Sequence, residues 1–322
     1  MAEYFRSTVI DEYTPSADGT KEESLGIRPI SHLNLTVKCL NNGTNTKATL
    51  AQILSAIESV EVLKGGKSII SVNGADLYAI ASILLGREPW QENVINTDNA
   101  VRHLTIPILF GRRPYDPNEC LPAQPKGELT VRIKYDIADT GYDGLVIHVD
   151  QVELPDATPS GYLKYTTKTD TPSSTGWQDL DLPIEGSYVG ILLWGTTIPT
   201  GTSWTTTLDK VTFLVDNSEK YFREVSWEAL HGSLVERLGP ANAWAEKFHM
   251  ENTASDYTQN ADTATEEQDD TDLANYAWMD FDPTGDGTYL FSTEGVSDIK
   301  LHYSAGDTNN FRVVPVQLIP VS

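Results

Sequence analysis

Cysteine is almost absent from this sequence of 322 residues, which contains only Cys39 and Cys120. No CxxC or Cys/His spacing is present, so a zinc site of that kind is not expected. We expect both cysteines to be buried, because the side chain behaves as a small hydrophobe. A disulfide between them is also possible, since sequence alone does not give the separation of their Cα atoms.

Positive charge is scarce as well. The chain has 23 Lys and Arg against 46 Asp and Glu, a net charge of −23. A surface this acidic repels phosphate, so direct binding to nucleic acid is not expected. Seven carboxylates occur between Asp256 and Asp272 without one Lys or Arg. This run, which is also rich in Thr, Asn and Ala, predicts a solvated loop, with calcium binding as the less favoured alternative.

Long apolar runs are missing too. None approaches the roughly 18 to 20 residues that span a bilayer. The opening residues, Met1 to Arg6, lack the basic and apolar blocks of a secretory signal. We therefore expect neither a cleaved leader nor a membrane-spanning segment.

The sequence contains no GxSxG, HExxH, P-loop or GxGxxG motif. His148 lies next to Asp150, but the run Leu145 to Val149 alternates like a strand, which favours a structural role over that of a general base. A glycan hydrolase would need two carboxylates in a cleft, and no pair stands out among 46. We predict that the protein is not an enzyme and carries no cofactor.

One weak metal candidate lies between Asp280 and Gly287, where Asp282 and Asp286 could supply oxygens to a structural divalent cation. Pro283 and the lack of flanking helices break the EF-hand pattern. The segment is more typical of a turn, with Asp286 and Gly287 as its residues of positive φ.

The most informative feature is a repeat. The segment 60–86 recurs at 211–239, with an offset of 151 residues at its start and 153 at its end. In each copy two alternating apolar runs flank a pair of turn residues, Gly65-Gly66 or Asp216-Asn217, which predicts a hairpin. A short helix follows in each copy, over Ala75 to Leu85 and Trp227 to Leu238.

Capping residues delimit both helices. The side chains of Asn73 and Ser226 are placed to accept hydrogen bonds from the first free backbone N–H groups of each helix. Asp76 and Glu228 lie near the positive end of each helix dipole. Gly86 in the first copy, and Gly239 in the second, occupies the position where a left-handed residue ends a helix.

The repeat extends to flanking segments. The strand predicted at Ile30 to Val37 matches Tyr188 to Trp194, and Val131 to Tyr135 matches Ile299 to Tyr303 at an offset of 168. The larger offset implies an insertion in the second copy, which we place at 240–277. With 23 Gly and 17 Pro between short alternating runs, an all-β fold is favoured.

The strand Ile30 to Val37, the hairpin from Ile57 to Val72 and the helix from Gly74 resemble the N-terminal jelly roll of double jelly-roll major capsid proteins. These proteins build tailless icosahedral viruses with an internal membrane, the lineage of adenovirus; this chain is similar to the compact form of turreted archaeal viruses and related phages. The resemblance implies two tandem eight-stranded jelly-roll sandwiches with short flanking helices. We expect an N-terminal arm at 1–24, a first jelly roll at 25–155 and a second at 156–322.

The resemblance also implies a function. Such a chain forms a homotrimeric, pseudo-hexameric capsomer that contacts neighbouring capsomers and penton or vertex proteins in the virion, after assembly in the host cytoplasm. The acidic insertion is expected in the loops that rise on the outer capsomer face. Carboxylates that face one another between capsomers would need protons, Lys or Arg partners, or divalent cations. The alternative is a carbohydrate-binding or receptor-binding β-sandwich of a spike or adhesin, because exposed Trp and Tyr stack on sugars.

The N-terminal arm carries Tyr4, Phe5 and Arg6, which the resemblance places under the shell against the membrane or a neighbouring capsomer. A disordered tail is the alternative. The chain ends in a predicted strand, Val313 to Val321, where some relatives carry a membrane-reaching helix. Any contact with the membrane is therefore expected to come from the arm or the lower loops.

Overall fold

The computed structural model of this protein describes residues 3–42, 49–93, 99–137, 142–199, 203–238, 249–253, 256–260 and 273–321. Three helices are present in these ranges: α1 Leu50–Ser55, α2 Gly74–Leu85 and α3 Trp227–Leu238. Within the described residues, no helix has the length and apolar character that crossing a membrane would require.

Strands make up most of the rest. They are β1 Phe5–Tyr13, β2 Gly19–Ser24, β3 Ile30–Asn41, β4 Ile57–Lys64, β5 Lys67–Val72, β6 Gln91–Asn93, β7 Val101–Leu109, β8 Leu129–Tyr135, β9 Tyr142–Glu153, β10 Gly161–Thr166, β11 Lys168–Asp170, β12 Gly176–Asp181, β13 Ser187–Gly195, β14 Leu208–Val215, β15 Ser218–Glu219, β16 Val225–Ser226, β17 His249–Thr253, β18 Asp256–Asn260, β19 Tyr276–Asp280, β20 Ile299–Ala305 and β21 Phe311–Pro320.

The strands form two sandwiches with the same strand order, which we call the first half (β1 to β9) and the second half (β10 to β21). In the first half, the sheet β1-β9-β3-β7-β6 faces the sheet β5-β4-β8-β2. In the second, β10-β21-β13-β19 faces β12-β20-β14-β15. Eight strands of each half correspond one to one, and the rest are short additions. The predicted all-β fold of two tandem eight-stranded jelly rolls is confirmed.

The N-terminal residues differ from the prediction. The segment 1–24 was expected to precede the first strand, whereas Phe5–Tyr13 and Gly19–Ser24 are themselves strands. They pair antiparallel with β9 and β8 and add one edge strand to each sheet of the first half. The first half therefore depends on them for two of its eight strands, as the second half depends on β10 and β12.

The first predicted hairpin is confirmed in detail. Lys64 pairs with Lys67 across Gly65 and Gly66, both of which have positive φ. The second is confirmed only at its turn, where Asp216 and Asn217 also have positive φ. The apolar run that follows this turn, Tyr221 to Val225, was predicted as the second strand of the hairpin. This prediction is wrong, because the strand is interrupted between β15 and β16, where Tyr221 and Glu224 adopt positive φ.

The helix caps follow the sequence. The Asn73 side chain accepts a hydrogen bond from the backbone N–H of Asp76 at 2.7 Å, and Gly86 ends α2 in the left-handed conformation. Ser226 accepts the equivalent bond from the N–H of Ala229 at 3.3 Å. Gly239 lies outside the described residues.

One sheet runs through both halves. β5 pairs in parallel with β10 through Ile70 with Tyr165 and Ser71 with Thr166, so that β2-β8-β4-β5 continues into β10-β21-β13-β19. The second-half part of this sheet is buried on both faces. One face carries Ile191 and Leu193 into the second core, and the other presents Leu192 and Val314 to the first. The halves thus share an apolar boundary as well as a sheet.

Most of the predicted insertion 240–277 lies outside the described residues. Asp256–Asn260 forms a hairpin with His249–Thr253, so this part of the predicted loop is a strand, and Tyr276–Asp280 belongs to the main sheet as β19. Cys39 and Cys120 are both buried and free, so the disulfide is absent. Burial raises the pKa of Cys39 to about 12 and that of Cys120 to about 11.

The packing of Trp278 on β13 gives a first prediction. A Cβ at Gly190 would lie 1.8 Å from Cζ2 of the Trp278 indole, so Gly190→Ala should destabilise the fold by about 1–3 kcal/mol through overpacking. The matched control is Gly232→Ala within α3, where a Cβ meets nothing within 4 Å. We expect that change to stabilise by about 0.5–1 kcal/mol, because alanine favours helix. Urea unfolding of both variants measures the difference, and equal stabilities would contradict this account.

Candidate functional site

The contact between the two halves is the most elaborate polar site of the described structure, and we call it the seam. Its centre is Asp76, the third residue of α2, whose side chain is fully buried. Asp76 accepts hydrogen bonds from Thr167 Oγ1 at 3.0 Å and from the Tyr276 hydroxyl at 2.8 Å. Both donors belong to the second half, so the first turn of α2 is held by the opposite sandwich.

Arg312 of β21 completes this cluster. Its Nε lies 3.1 and 3.0 Å from the two Asp76 oxygens, and its Nη2 lies 2.8 Å from one of them. The guanidinium also stacks on Trp194, 3.7 Å from the ring centroid. Burial would lower the pKa of Arg312, but Asp76 and Tyr276 outweigh it and raise that pKa above its usual value. The Arg312 guanidinium is therefore held as a cation against Asp76 inside a buried site.

A second ionic contact crosses the seam at the other end of α2. Arg112 lies in the loop after β7. Its Nε donates to both carboxylate oxygens of Glu119 at 3.0 Å, and its Nη1 donates to Asp282 of the second half at 2.6 Å. The bond to Glu119, with that to Asp282, raises the pKa of Arg112. Arg237 of α3 donates to the Ile83 carbonyl at 3.1 Å and pairs with Asp280. Both ends of α2 are thus tied to the second half.

Asp282 and Asp286, the weak metal candidates, have protein partners. Asp282 accepts from Arg112 and, at 2.8 Å, from the N–H of Gly287. Asp286 accepts from Thr284 Oγ1 at 2.6 Å and from the N–H of Thr288, bonds that lower its pKa to about 2. No group of three potential His, Cys, Asp or Glu ligands occurs in the described ranges. The predicted turn is present, although its residues of positive φ are Gly285 and Gly287 rather than Asp286.

Tyr4, Phe5 and Arg6 lie together at the end of the first half, in what we call the N-terminal cluster. Tyr4 packs edge-on against Tyr115 with ring centroids 5.4 Å apart, and Arg6 donates to the Tyr115 hydroxyl at 3.2 Å. Arg28 lies 5.9 Å from the Phe5 ring. The exposed fractions are 62% for Tyr4 and 52% for Phe5. The three predicted residues are therefore adjacent, ordered and open to solvent.

Other candidate residues form no reactive arrangement. His148 lies on β9 as predicted, with Nε2 3.1 Å from Asp150 and Nδ1 3.7 Å from Asp11. A cleft of about 360 Å³ at the end of the second half is lined by Glu185 and Glu294 among Ser and Gly residues. Glu185 is paired with Lys164, so this carboxylate already has a cationic partner.

Sequence reasoning missed the seam. Asp76 was interpreted only through the helix dipole, and Arg312 and Arg112 carried no motif. The one available signal was the largely apolar character of the predicted helix up to Leu85, in which Asp76 is the only charged residue. A short helix with apolar residues on every side is buried on every side, and a carboxylate in it needs a partner.

No protein-family model matches this chain, and no curated protein matches it as a relative. Solved structures do resemble it over its whole length. The major capsid protein P2 of bacteriophage PM2 has a TM-score of 0.63 at 13% identity, covering 99% of this chain and 98% of its own. The MCP of STIV, Sulfolobus turreted icosahedral virus, has a TM-score of 0.66 at 13% identity, covering 99% and 97%. The PBCV-1 virus capsid has a TM-score of 0.58 at 10% identity, and the match covers 99% of this chain and 94% of the PBCV-1 chain. This chain has the double jelly-roll fold of these proteins.

The seam can be tested by removing its carboxylate. Asp76→Ala leaves Arg312 buried without its anion, so we expect a loss of about 3–5 kcal/mol in the free energy of unfolding. The control is Glu58→Ala, which removes the exposed partner of Lys134 and should cost less than about 1 kcal/mol. Urea denaturation measures both. A cost for Asp76→Ala no larger than that of the control would show that the buried pair does not stabilise the fold.

Proposed function

We propose that this protein is the major capsid protein of an icosahedral virus with an internal membrane. One observation carries the proposal: the whole chain, and not one part of it, has the duplicated jelly-roll architecture of solved capsid proteins. Fold alone does not determine function. Here, however, the duplication itself has a geometric purpose, which an enzyme or a single binding module would not need.

That purpose is hexagonal packing. Two sandwiches of the same strand order stand side by side in each chain, so a ring of three chains presents six similar wedges. A head-to-tail contact that closes after three copies gives a homotrimer. Its pseudo-hexameric outline can tile a shell. Neighbouring capsomers then lie along its sides, and penton or vertex proteins lie at the corners of the shell. The capsomer would assemble in the host cytoplasm and end in the virion.

Assembly, rather than turnover, is the proposed activity. The main polar sites of the described structure bind the chain to itself: Asp76 is saturated by Arg312, and Arg112 by Glu119 and Asp282. The acidic surface is compatible with a shell that does not bind the genome directly.

The N-terminal cluster is proposed to contact the membrane or a neighbouring capsomer. Exposed aromatic rings beside Arg6 and Arg28 combine an apolar surface with charge, which suits the headgroup region of a bilayer. Ile27, the chain neighbour of Arg28, is 55% exposed. The cluster is held by β1, because Phe5 pairs with Glu153 of β9, so it is a fixed surface and not a free tail.

The capsomer is tested by measuring the mass of the purified chain by light scattering, with negative-stain imaging of the same sample. We expect about three times 35.5 kDa and a hexagonal outline. A monomer at every concentration, particularly one that binds glycans saturably, would overturn the proposal in favour of a binding module.

The N-terminal cluster is tested by flotation with vesicles of phosphatidylcholine, prepared with and without phosphatidylglycerol. The triple variant Tyr4→Ser, Phe5→Ser and Arg6→Ser should lose flotation with the vesicles while its oligomeric mass is unchanged. The control is Tyr289→Ser, which removes an aromatic ring that is 50% exposed on the second half. Equal flotation of all variants would exclude lipid as the partner of the cluster. If the triple variant instead loses contacts between capsomers, the partner of the cluster is a neighbouring copy of the chain.

A further inference from the structure

The two halves can be aligned residue by residue, because their strand registers share an irregularity. β13 pairs with β21 with a bulge at Val189, and β3 pairs with β9 with a bulge at Ser31. Aligning the bulges matches Arg312 with His148, since these residues pair with Trp194 and Thr36 respectively. Continuing across the neighbouring strands matches Tyr276 with Thr105 and Thr167 with Thr8.

This alignment compares a covered sheet face with an open one. In the second half, the outer face of β10-β21-β13-β19 lies against the first half in the seam. In the first half, no described residue layer covers the matching face of β1-β9-β3-β7, whose side chains are partly exposed. The covered face carries Leu192, Val314, Tyr276 and Trp278, all at most 3% exposed. At the matching positions the open face carries partly exposed polar residues and a proline: Asn34, Asp150, Thr105 and Pro107.

The helices show the same difference. α2 is buried on nearly every side, because its own sandwich covers one face and the second half covers the other. α3 sits on β19 as α2 sits on β7, but its outward residues Glu228, Ala229, Ser233 and Glu236 are exposed. The shared cap geometry matches Ala229 with Asp76, since their N–H groups are bound by Ser226 and Asn73. Among the described residues, α3 thus lacks the covering that α2 receives.

We propose that a second copy of this chain supplies that covering: the exposed face of α3 docks on the open face of β1-β9-β3-β7 of the next copy. This inference rests on the proposed capsomer and assigns its interface. The contact between copies then repeats the geometry of the seam, with Ala229 near Thr8 and His148 of the neighbour. Because the contact joins different surfaces of identical chains, it is head-to-tail, and in the proposed capsomer it closes into a ring after three copies.

The matched residues also predict how the two contacts differ. The seam joins Asp76 to Arg312, whereas the corresponding positions between copies hold Ala229 and His148. The buried ion pair is therefore missing from the interface between copies, and His148 already has Asp150 at 3.1 Å within its own chain. The neighbouring polar pair, Thr36 with Thr105 at 2.9 Å, is likewise satisfied internally. Neither pair therefore needs a partner from the neighbouring copy.

The test uses the full chain with the cysteine pair Thr8→Cys and Ala229→Cys, which corresponds to the direct contact between Thr167 and Asp76. Mild oxidation should give covalent dimers and trimers on a non-reducing denaturing gel. Each single variant, and the mismatched pair Ala229→Cys with Ser304→Cys, should give no covalent trimer. The native Cys39 and Cys120 are buried and contribute no cross-link of their own.

A second test measures the trimer mass and does not depend on disulfide geometry. Ala229→Arg places a large charged side chain on the exposed face of α3, so it should lower the trimer mass towards that of the monomer without changing the unfolding midpoint of the isolated chain. The matched control is Ala123→Arg, another exposed alanine outside α3 and the open sheet face.

The outcomes separate this inference from the proposed function. Cross-linking of the matched pair, or loss of the trimer in Ala229→Arg alone, supports the assigned interface. A wild-type trimer that neither cross-links nor responds to Ala229→Arg overturns it and leaves the capsomer intact. A wild-type chain that stays monomeric contradicts the capsomer itself.

Discussion

The buried ion pair of Asp76 with Arg312 is the constraint on which the arrangement of the two halves depends. A carboxylate without solvent is tolerated only if its donors converge on it. These donors come from three separate places in the second half: Thr167 after β10, Tyr276 at the start of β19 and Arg312 in β21. The register in which β10 joins β5, and the position of α2 against the second sheet, must satisfy all of them together.

The sequence predicted the parts of this fold that repeat locally. Alternation, turn pairs and caps identified the first hairpin and both major helices, because each depends on residues a few positions apart. The N-terminal strands were missed for a physical reason. Gly19–Ser24 is an edge strand without an apolar face, and it is stabilised by pairing with β8 rather than by burial. The seam was missed because its two charges lie 236 residues apart, and no local pattern links them.

The low content of Lys and Arg acquires a meaning once the seam is known. Arg112, Arg237 and Arg312 are all used in contacts between the halves, so three of the 23 basic residues face inward or along the seam. Their acidic partners Asp76, Glu119, Asp280 and Asp282 are drawn inward with them, so the outer surface stays strongly acidic. In the proposed capsomer, contacts between copies would therefore use polar and small residues, such as the threonines of the open face, rather than many ion pairs.

The sheet that continues from β5 into β10 has a mechanical consequence. The pairing of β5 with β10, together with the ion pairs of the seam, joins the two sandwiches into one plate. A curved shell built from such plates cannot distribute its curvature within a chain. All the bending has to occur at the joints between chains, and elasticity of the shell under internal pressure would be set there.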